Sequence, residues 1–261
     1  MGVIRTDQWL IRSYEKPLNL CKRLKTLFHH EDELFVHEFL IQHGMYRHPD
    51  QDGLSFIKDF QQNKLWHNIQ KEFRNLQALW NGPDIPIFIF PSDSSHRKLM
   101  DDFNGKAGLA FHDKLFLFIS KKNSEKEIKA LLTHEYHHVC RLSTYKKPEK
   151  EYILLDTIIL EGLAEHAVLE RFGKEYIANW TSMYTDEQLK KMWRQIILPN
   201  RDLSKNHPKH HVLLYGLRLY PQMVGYCVGY YLVKQYIRKH PSKSKALLTL
   251  SSESIAQLTE E

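Results

Sequence analysis

Cysteine is scarce in this sequence, and its distribution excludes one common kind of scaffold. The 261 residues include only 3 cysteines, Cys21, Cys140 and Cys227, which lie far apart along the chain. An odd and widely spaced set of cysteines does not form the paired framework of a disulfide-rich secreted domain. The sequence therefore predicts a protein of a reducing compartment, the cytoplasm.

Long apolar runs and clustered basic segments are also missing. No stretch approaches the ~18 apolar residues of a membrane-spanning helix, and residues 1–20 lack the apolar centre of a signal peptide. The net charge is +6, but the lysines are spread along the chain without a basic run interleaved with aromatic residues. Apolar residues make up 42% and charged residues 26% of the sequence, as in ordinary folded proteins. We therefore expect no membrane span and no nucleic-acid partner.

Histidine is plentiful, and two of the 16 histidines belong to the motif His134-Glu135-x-x-His138. Residues four apart on an α-helix lie nearly above one another, so both imidazoles point towards one place, where zinc would bind. Glu135 lies about 100° round the helix, beside that place. This position suits a general base that takes a proton from zinc-activated water without binding the metal.

The flanking residues predict that the motif lies on a helix that follows a strand. Ser124 and Glu127 have the spacing of an N-terminal capping box, and Lys114–Ser120 is an apolar run typical of a strand. Residues 85–90 and 105–111 predict two further strands before this helix. Apolar residues at helical spacing follow Ser124, namely Ile128, Leu131, Leu132, Val139 and Leu142.

A second helix is predicted over residues 152–172, with Gly173 at its end. One face of this helix runs through Leu154, Ile158, Glu161, Glu165, Val168 and Phe172. Two carboxylates on an otherwise apolar face need cationic or metal partners, because burying an unpaired charge is costly. A zinc ion held by His134 and His138 is such a partner. Glu161 follows His138 by 23 residues, which is enough for a turn and the start of a second helix packed on the first.

The motif followed by Glu161-Gly162-Leu163-Ala164-Glu165 resembles the gluzincin clan of zinc metallopeptidases. The closer resemblance is to the YjaZ-like family of predicted bacterial Zn-dependent proteases, and it rests on residues 130–165 and 225–230. The resemblance implies one zinc ion per chain, with His134, His138 and Glu161 as ligands. It also implies that Glu165 supports a ligand histidine and that the substrate is a peptide or protein.

The resemblance implies two further roles. Gluzincins pair the substrate backbone with an edge strand, which gives Gly108, Leu109 and Ala110 as candidate substrate-binding residues; an ordinary strand is the alternative. They also supply an oxyanion donor downstream of the third ligand. We predict Tyr226 for this role, although a core aromatic residue would fit the same pattern. The alternative donors are His211, Tyr215, Tyr220 and Tyr230.

These elements predict an α+β fold that is mostly helical, with a small sheet before the motif helix, as in zincins. We expect an N-terminal helical subdomain over residues 1–80 and a zincin-like core with C-terminal helices over residues 81–261. The polar stretch 199–211 is predicted to be a surface loop. A different class of protein also fits the residues, namely a non-catalytic zinc-binding regulatory or interaction module on a peptidase scaffold.

Overall fold

The predicted small sheet forms in the computed structural model, which describes residues 1–258. Its strands are β1 (Gly2–Val3), β2 (Pro86–Pro91), β3 (Ala107–Ala110) and β4 (Leu115–Ile119). Their order across the sheet is β1-β2-β4-β3. Strands β1, β2 and β4 run parallel to one another, and β3 pairs antiparallel with β4. Strand β3 is therefore an edge strand.

Helices make up most of the chain, which confirms the α+β class. Those before the motif helix are α1 (Thr6–Ser13), α2 (Pro17–Lys22), α3 (Glu33–Gln42), α4 (Gly53–Gln62), α5 (Leu65–Trp80) and α6 (Arg97–Asp102), with a 3₁₀ turn at Lys25–Phe28. The motif helix is α7 (Glu125–Thr144). The chain forms two compact units, Met1–Tyr136 and His137–Glu261, and the division between them passes through this one continuous helix.

The N-terminal segment contributes a strand where only helices were predicted. The backbone N–H of Gly2 donates to Ile85 O at 3.1 Å, and that of Ile4 donates to Ile87 O at 2.9 Å. A strand of 2 residues is too short to show an alternating pattern, so the sequence did not reveal it. The proposed domain boundary between residues 80 and 81 stays a prediction.

Helix α5 positions the first part of α7 in the first unit. The ring of Tyr136 lies 5.0 Å from that of Phe73 and 6.1 Å from that of Trp80. Its hydroxyl donates to Pro83 O at 2.8 Å. Tyr136 is fully buried, so its apolar contacts and its satisfied hydroxyl both stabilise this placement. The residues before it, His134 and Glu135, are thereby held at a defined place.

The second unit is helical. It contains α8 (Leu154–Phe172), α9 (Asp186–Met192), α10 (Pro208–Tyr215), α11 (Val224–Lys239), α12 (Ser244–Leu247) and α13 (Ser252–Ile255). The connections include 3₁₀ turns at Glu149–Glu151, Asn179–Ser182 and Leu198–Asn200 and a π-helical segment at Trp193–Ile197. Within residues 1–258, no helix combines the length and the apolar character that crossing a membrane requires.

The prediction that residues 199–211 form a loop was wrong at its C-terminal end, where α10 begins. Pro208 occupies the first turn of this helix, where its missing N–H costs nothing. The side chain of His207 caps the helix by accepting a hydrogen bond from the backbone N–H of Lys209 at 3.1 Å. Because residues 199–211 are mostly polar, their sequence did not show that α10 begins within them.

Glycines let α8 and α11 approach closely. A Cβ atom built on Gly229 would lie 1.9 Å from the carbonyl oxygen of Ile158, and one built on Gly162 would lie 2.5 Å from the carbonyl oxygen of Gly229. Contacts this short are not tolerated, so neither position accepts a side chain without a shift of the backbone. Because Gly162 follows Glu161 directly, this contact also fixes the position of Glu161.

We predict that Gly229→Ala destabilises the protein by about 1–3 kcal/mol, the usual cost of overpacking a tight interface. The added methyl group must displace the backbone of α8 at Ile158. Urea-induced unfolding followed by circular dichroism measures the effect. Lys239→Ala, at an exposed position of the same helix, is the control. An equal midpoint for Gly229→Ala and the unmodified protein would show that the two helices separate at no cost.

Candidate metal centre

Helix α7 begins as the sequence predicted. The Ser124 backbone N–H donates to Glu127 Oε2 at 2.8 Å, and the Glu127 backbone N–H donates to Ser124 Oγ at 3.2 Å. These reciprocal bonds are the predicted capping box, and they satisfy two N–H groups at the helix start. From there the helix continues without interruption through His134 and His138 to Thr144.

His134, His138 and Glu161 lie together. One ligand atom from each residue falls within 4.8 Å of the others, and within residues 1–258 this is the one group of three or more His, Cys, Asp or Glu side chains with that property. The two histidines lie one turn apart on α7. In the second unit, His138 Nε2 lies 3.6 Å from Glu161 Oε2. Two imidazole nitrogens and one carboxylate oxygen form the ligand set of a catalytic zinc site with one further position.

The burial of these residues also fits a metal. His138 is buried, and His134 and Glu161 are partly exposed. The Glu161 side chain is 17% exposed and lies in the middle of a helix whose neighbouring residues are mostly buried. A carboxylate in such surroundings is stabilised by a nearby positive charge, which a bound Zn²⁺ ion would supply. The residues present therefore fit the ion that the motif predicts.

Glu135 is buried and packs against strand β3. A Cβ atom built on Gly108 would lie 2.2 Å from Cγ and 2.4 Å from Oε1 of Glu135. Any larger residue at position 108 would therefore push the carboxylate aside. Gly108 thus brings the backbone of the edge strand into contact with the predicted general base, within the first unit.

The hydrogen-bond pattern of β3 shows which of its backbone groups face the open edge. The Phe111 N–H donates to Lys114 O at 2.9 Å, so these residues form a hydrogen-bonded pair. Bonded and non-bonded pairs alternate along antiparallel strands. With the register Leu109↔Phe116 and Gly108↔Leu117, Leu109 pairs with β4, whereas Gly108 and Ala110 direct their N–H and C=O groups outwards. Two of the three predicted substrate-strand residues thus offer hydrogen bonds at a free edge.

Glu165 is buried one turn after Glu161 on α8. Its Oε2 accepts a hydrogen bond from the backbone N–H of Ala178 at 2.8 Å. Glu165 therefore holds the segment that follows α8. Its predicted support of a ligand histidine stays a prediction.

Two tyrosines, Tyr215 and Tyr226, form a hydrogen-bonded pair in the second unit. The Tyr226 hydroxyl donates to the Tyr215 hydroxyl at 3.3 Å. Burial raises the pKa of Tyr215, and the negative charge of Glu161 raises that pKa further, whereas the hydrogen bond from Tyr226 lowers it. The charge of the predicted zinc ligand therefore acts on Tyr215, the acceptor of this pair. The His211 ring packs on Tyr215, with the ring centres 4.5 Å apart.

Tyr230, another of the donors considered from the sequence, has different surroundings. It is buried, and burial together with the charge of Glu165 raises its pKa to about 12. Its ring lies edge-on to that of Trp180, with the centres 6.3 Å apart. Tyr230 therefore packs against Trp180, and the charge of Glu165 acts on its hydroxyl.

Comparison with known proteins gives the family. A family model described as "Predicted Zn-dependent protease (DUF2268)" matches residues 65–257. The chain belongs to this family. The match begins at the first residue of α5 and includes every residue of the candidate metal centre, whereas helices α1–α4 lie outside it. The resemblance to YjaZ-like predicted proteases is thereby confirmed.

Two proteins of Bacillus subtilis (strain 168) are similar to this DUF2268 protein. The uncharacterized protein YjaZ is 42% identical over 214 residues, which cover 82% of each chain. The uncharacterized protein YjfC is 23% identical over 171 residues, which cover 61% of this chain and 56% of YjfC. No solved structure matches the chain significantly.

The sequence did not reveal that Tyr215 and Tyr226 form a hydrogen-bonded pair in this DUF2268 protein. Tyr215 ends α10, which was predicted only as loop up to residue 211. Pro208 followed by the apolar run Val212-Leu213-Leu214 was the signal that a helix leads to Tyr215. Which tyrosines meet, however, depends on the packing of α10 against α11.

We predict that His134→Ala, His138→Ala and Glu161→Ala each lose nearly all bound zinc, because each removes one of three ligands. Glu165→Ala removes none of them and is expected to weaken zinc binding by roughly 10–100-fold at most, the usual effect of a residue that supports a ligand. Elemental analysis after dialysis, followed by competition with a chelator, measures both effects.

His112→Ala is the control for the ligand variants, since His112 is exposed and lies outside the cluster. Full zinc retention in both histidine variants would contradict the site. A larger loss in Glu165→Ala than in Glu161→Ala would make Glu165 the ligand.

Proposed function

We propose that this protein is a zinc-dependent peptidase that hydrolyses peptide bonds. The observation that carries the proposal is the convergence of His134, His138 and Glu161, with Glu135 on the same helix as the histidines. Membership of a family of predicted Zn-dependent proteases supports it. The free edge of β3 beside Glu135 supports a peptide substrate in particular.

His134, His138 and Glu161 would hold one zinc ion. When bound, zinc lowers the pKa of a water molecule that it binds and polarises a substrate carbonyl group. Glu135 would accept a proton from the attacking water and pass it to the leaving amine, as a general base that then becomes a general acid. Its burial keeps the carboxylate away from bulk water, and Gly108 leaves room for it beside the strand.

Gly108 and Ala110 would bind the substrate backbone. Their outward N–H and C=O groups are what an added antiparallel strand requires, and the bonds would place the peptide next to Glu135. Leu109 would contribute its side chain rather than its backbone, because its backbone groups face β4.

Tyr226 is proposed as the oxyanion donor. Its hydroxyl, which donates to the Tyr215 hydroxyl in this structure, would rotate to donate to the developing negative oxygen, and the Tyr215 hydroxyl would then donate to Tyr226. A neutral phenol stabilises a developing negative oxygen by donating a hydrogen bond. The raised pKa of Tyr215 keeps its proton in place at neutral pH. Because the two hydroxyls are bonded to each other, a change in either one is expected to affect the other.

We also propose a reducing compartment, the cytoplasm, for this protein. Its three cysteines are buried and form no disulfide within residues 1–258, as expected in a reducing compartment. Burial raises the pKa of the Cys21 and Cys227 thiols to about 12, which keeps them unreactive.

Glu135→Gln is expected to keep zinc and to lose roughly 10²–10⁴-fold in hydrolysis, because the base is removed and every ligand remains. Cleavage of a peptide library by zinc-loaded protein, with the fragments identified by mass spectrometry, measures the rate. Glu187→Gln, an exposed carboxylate on α9, is the control. If neither the unmodified protein nor any variant cleaves a peptide while zinc stays bound, the protein is a zinc-binding module instead.

Tyr226→Phe removes one oxygen and little packing, so zinc content and melting temperature should barely change. The expected loss is roughly 10²–10³-fold in kcat, the cost of removing an oxyanion donor. Tyr215→Phe should show part of this loss, since it removes the partner of the same hydroxyl. Tyr236→Phe on the same helix is the control. A normal kcat for Tyr226→Phe, together with a large loss for Tyr215→Phe or Tyr220→Phe, would assign the role to that other tyrosine.

A further inference from the structure

A row of aromatic side chains in the first unit runs from the buried core to the surface. Phe88 on β2 stacks on Phe116 of β4, with the ring centres 5.0 Å apart. From Phe116 the row continues to Phe28 at 5.8 Å, to Phe39 at 5.7 Å and to Phe35 at 6.4 Å. Exposure rises along it, from 0% at Phe116 and 8% at Phe28 to 47% at Phe35. The apolar face of the sheet therefore continues to the surface, on to helix α3.

This row lies on the face of the sheet away from Glu135. Gly108 directs its Cα–H towards Glu135, so the neighbouring residues of β3 direct their side chains to the opposite face. On that face, the chain after α3 packs against β3, because a Cβ atom built on Gly44 would lie 3.0 Å from that of Ala107. Leu109 and Phe111 share this face by alternation.

Phe111 joins the row to the end of strand β3. Its ring centre lies 6.2 Å from that of Phe28 and 6.4 Å from that of Phe39. The ammonium group of Lys114 lies 4.4 Å from the centre of the Phe111 ring and occupies part of its surface. The accessible apolar surface is therefore offered mainly by Phe35 and Phe39. We call Phe35, Phe39 and Phe111 the aromatic patch.

A strand added at the free edge of β3 would place its side chains alternately on the two faces. One set would point towards α7 and Glu135. The other set would point to the face of the aromatic patch. Backbone bonds to Gly108 and Ala110 give affinity without regard to sequence, so selectivity depends on what the alternate side chains meet.

We propose that the aromatic patch binds apolar side chains of a peptide paired with β3, so that peptides with apolar residues at alternate positions are preferred. This proposal rests on the proposed function, because it assigns the substrate class of the same site. The occupant is the peptide itself, since the patch continues the face on which every second side chain of an added strand lies. Covering these rings would remove apolar surface from water, which favours binding.

The test selects random linear peptides displayed on phage against zinc-loaded Glu135→Gln protein. Enriched peptides are expected to carry aromatic or aliphatic residues two positions apart. A synthetic copy of an enriched peptide should then bind Phe35→Ser protein roughly 3–10-fold more weakly, because part of a phenylalanine side chain no longer contributes. Phe35 is 47% exposed, so its replacement leaves the fold intact. Leu79→Ser, at a 39% exposed position on α5, is the matched control.

Selection without apolar enrichment, or equal binding by Phe35→Ser and unmodified protein, would overturn the proposal. A protein that sediments as a dimer and becomes monomeric in Phe35→Ser would assign the patch to a second copy of the chain and would also overturn it. Because the readout is binding, the test remains decisive even if the protein hydrolyses no peptide. Hydrolysis that is unaffected in Phe35→Ser, with unchanged selectivity, would reject the patch and leave the peptidase proposal standing.

Discussion

The candidate site depends on one close approach, between the carboxylate of Glu161 and the imidazole of His138. The helices that carry these two side chains are packed mainly through apolar residues. Glu161 Oε2 lies 3.6 Å from His138 Nε2, and this approach requires α8 to be fixed at the height of the second histidine. The position of α8 is set in turn by its contact with α11, where Gly162 and Gly229 allow the two backbones to touch. A metal ion held by His134, His138 and Glu161 would place positive charge beside this carboxylate.

A second close approach couples the sheet to the motif helix. Gly108 makes room for the Glu135 carboxylate, so the edge strand that offers backbone hydrogen bonds also touches the proposed base. If a peptide pairs with this edge, its backbone is aligned by the same residue that positions the base. Binding and proton transfer would then share one geometric constraint, and that constraint excludes side chains at position 108.

Helix α7 is held at several points along its length, which keeps its two histidines in register. Within the motif, Tyr136 packs on α5 and donates to Pro83 O. After it, the buried guanidinium of Arg141 donates to the carbonyl oxygens of Leu247 at 3.1 Å and Leu248 at 2.8 Å. A cation buried with its hydrogen bonds directed at backbone carbonyls stabilises the C-terminal segment against the helix that carries the motif. The residues around the histidines are thus anchored separately in each unit.

Local pattern in the sequence determined much of this protein. The spacing of His134 and His138, the capping box at Ser124 and the helical stripe that includes Glu161 all act over a few residues, and helix geometry converts them directly into position. The strands at β2 and β4 followed from short apolar runs in the same way. Only the tertiary structure decided which groups meet across elements. Four features show this: the pairing of Tyr226 with Tyr215, the hydrogen bond from the Ala178 N–H to Glu165, the strand at Gly2–Val3 and the row from Phe116 to Phe35. Each of them joins separate segments of the chain. Such contacts depend on how whole helices and strands pack, which no local periodicity encodes.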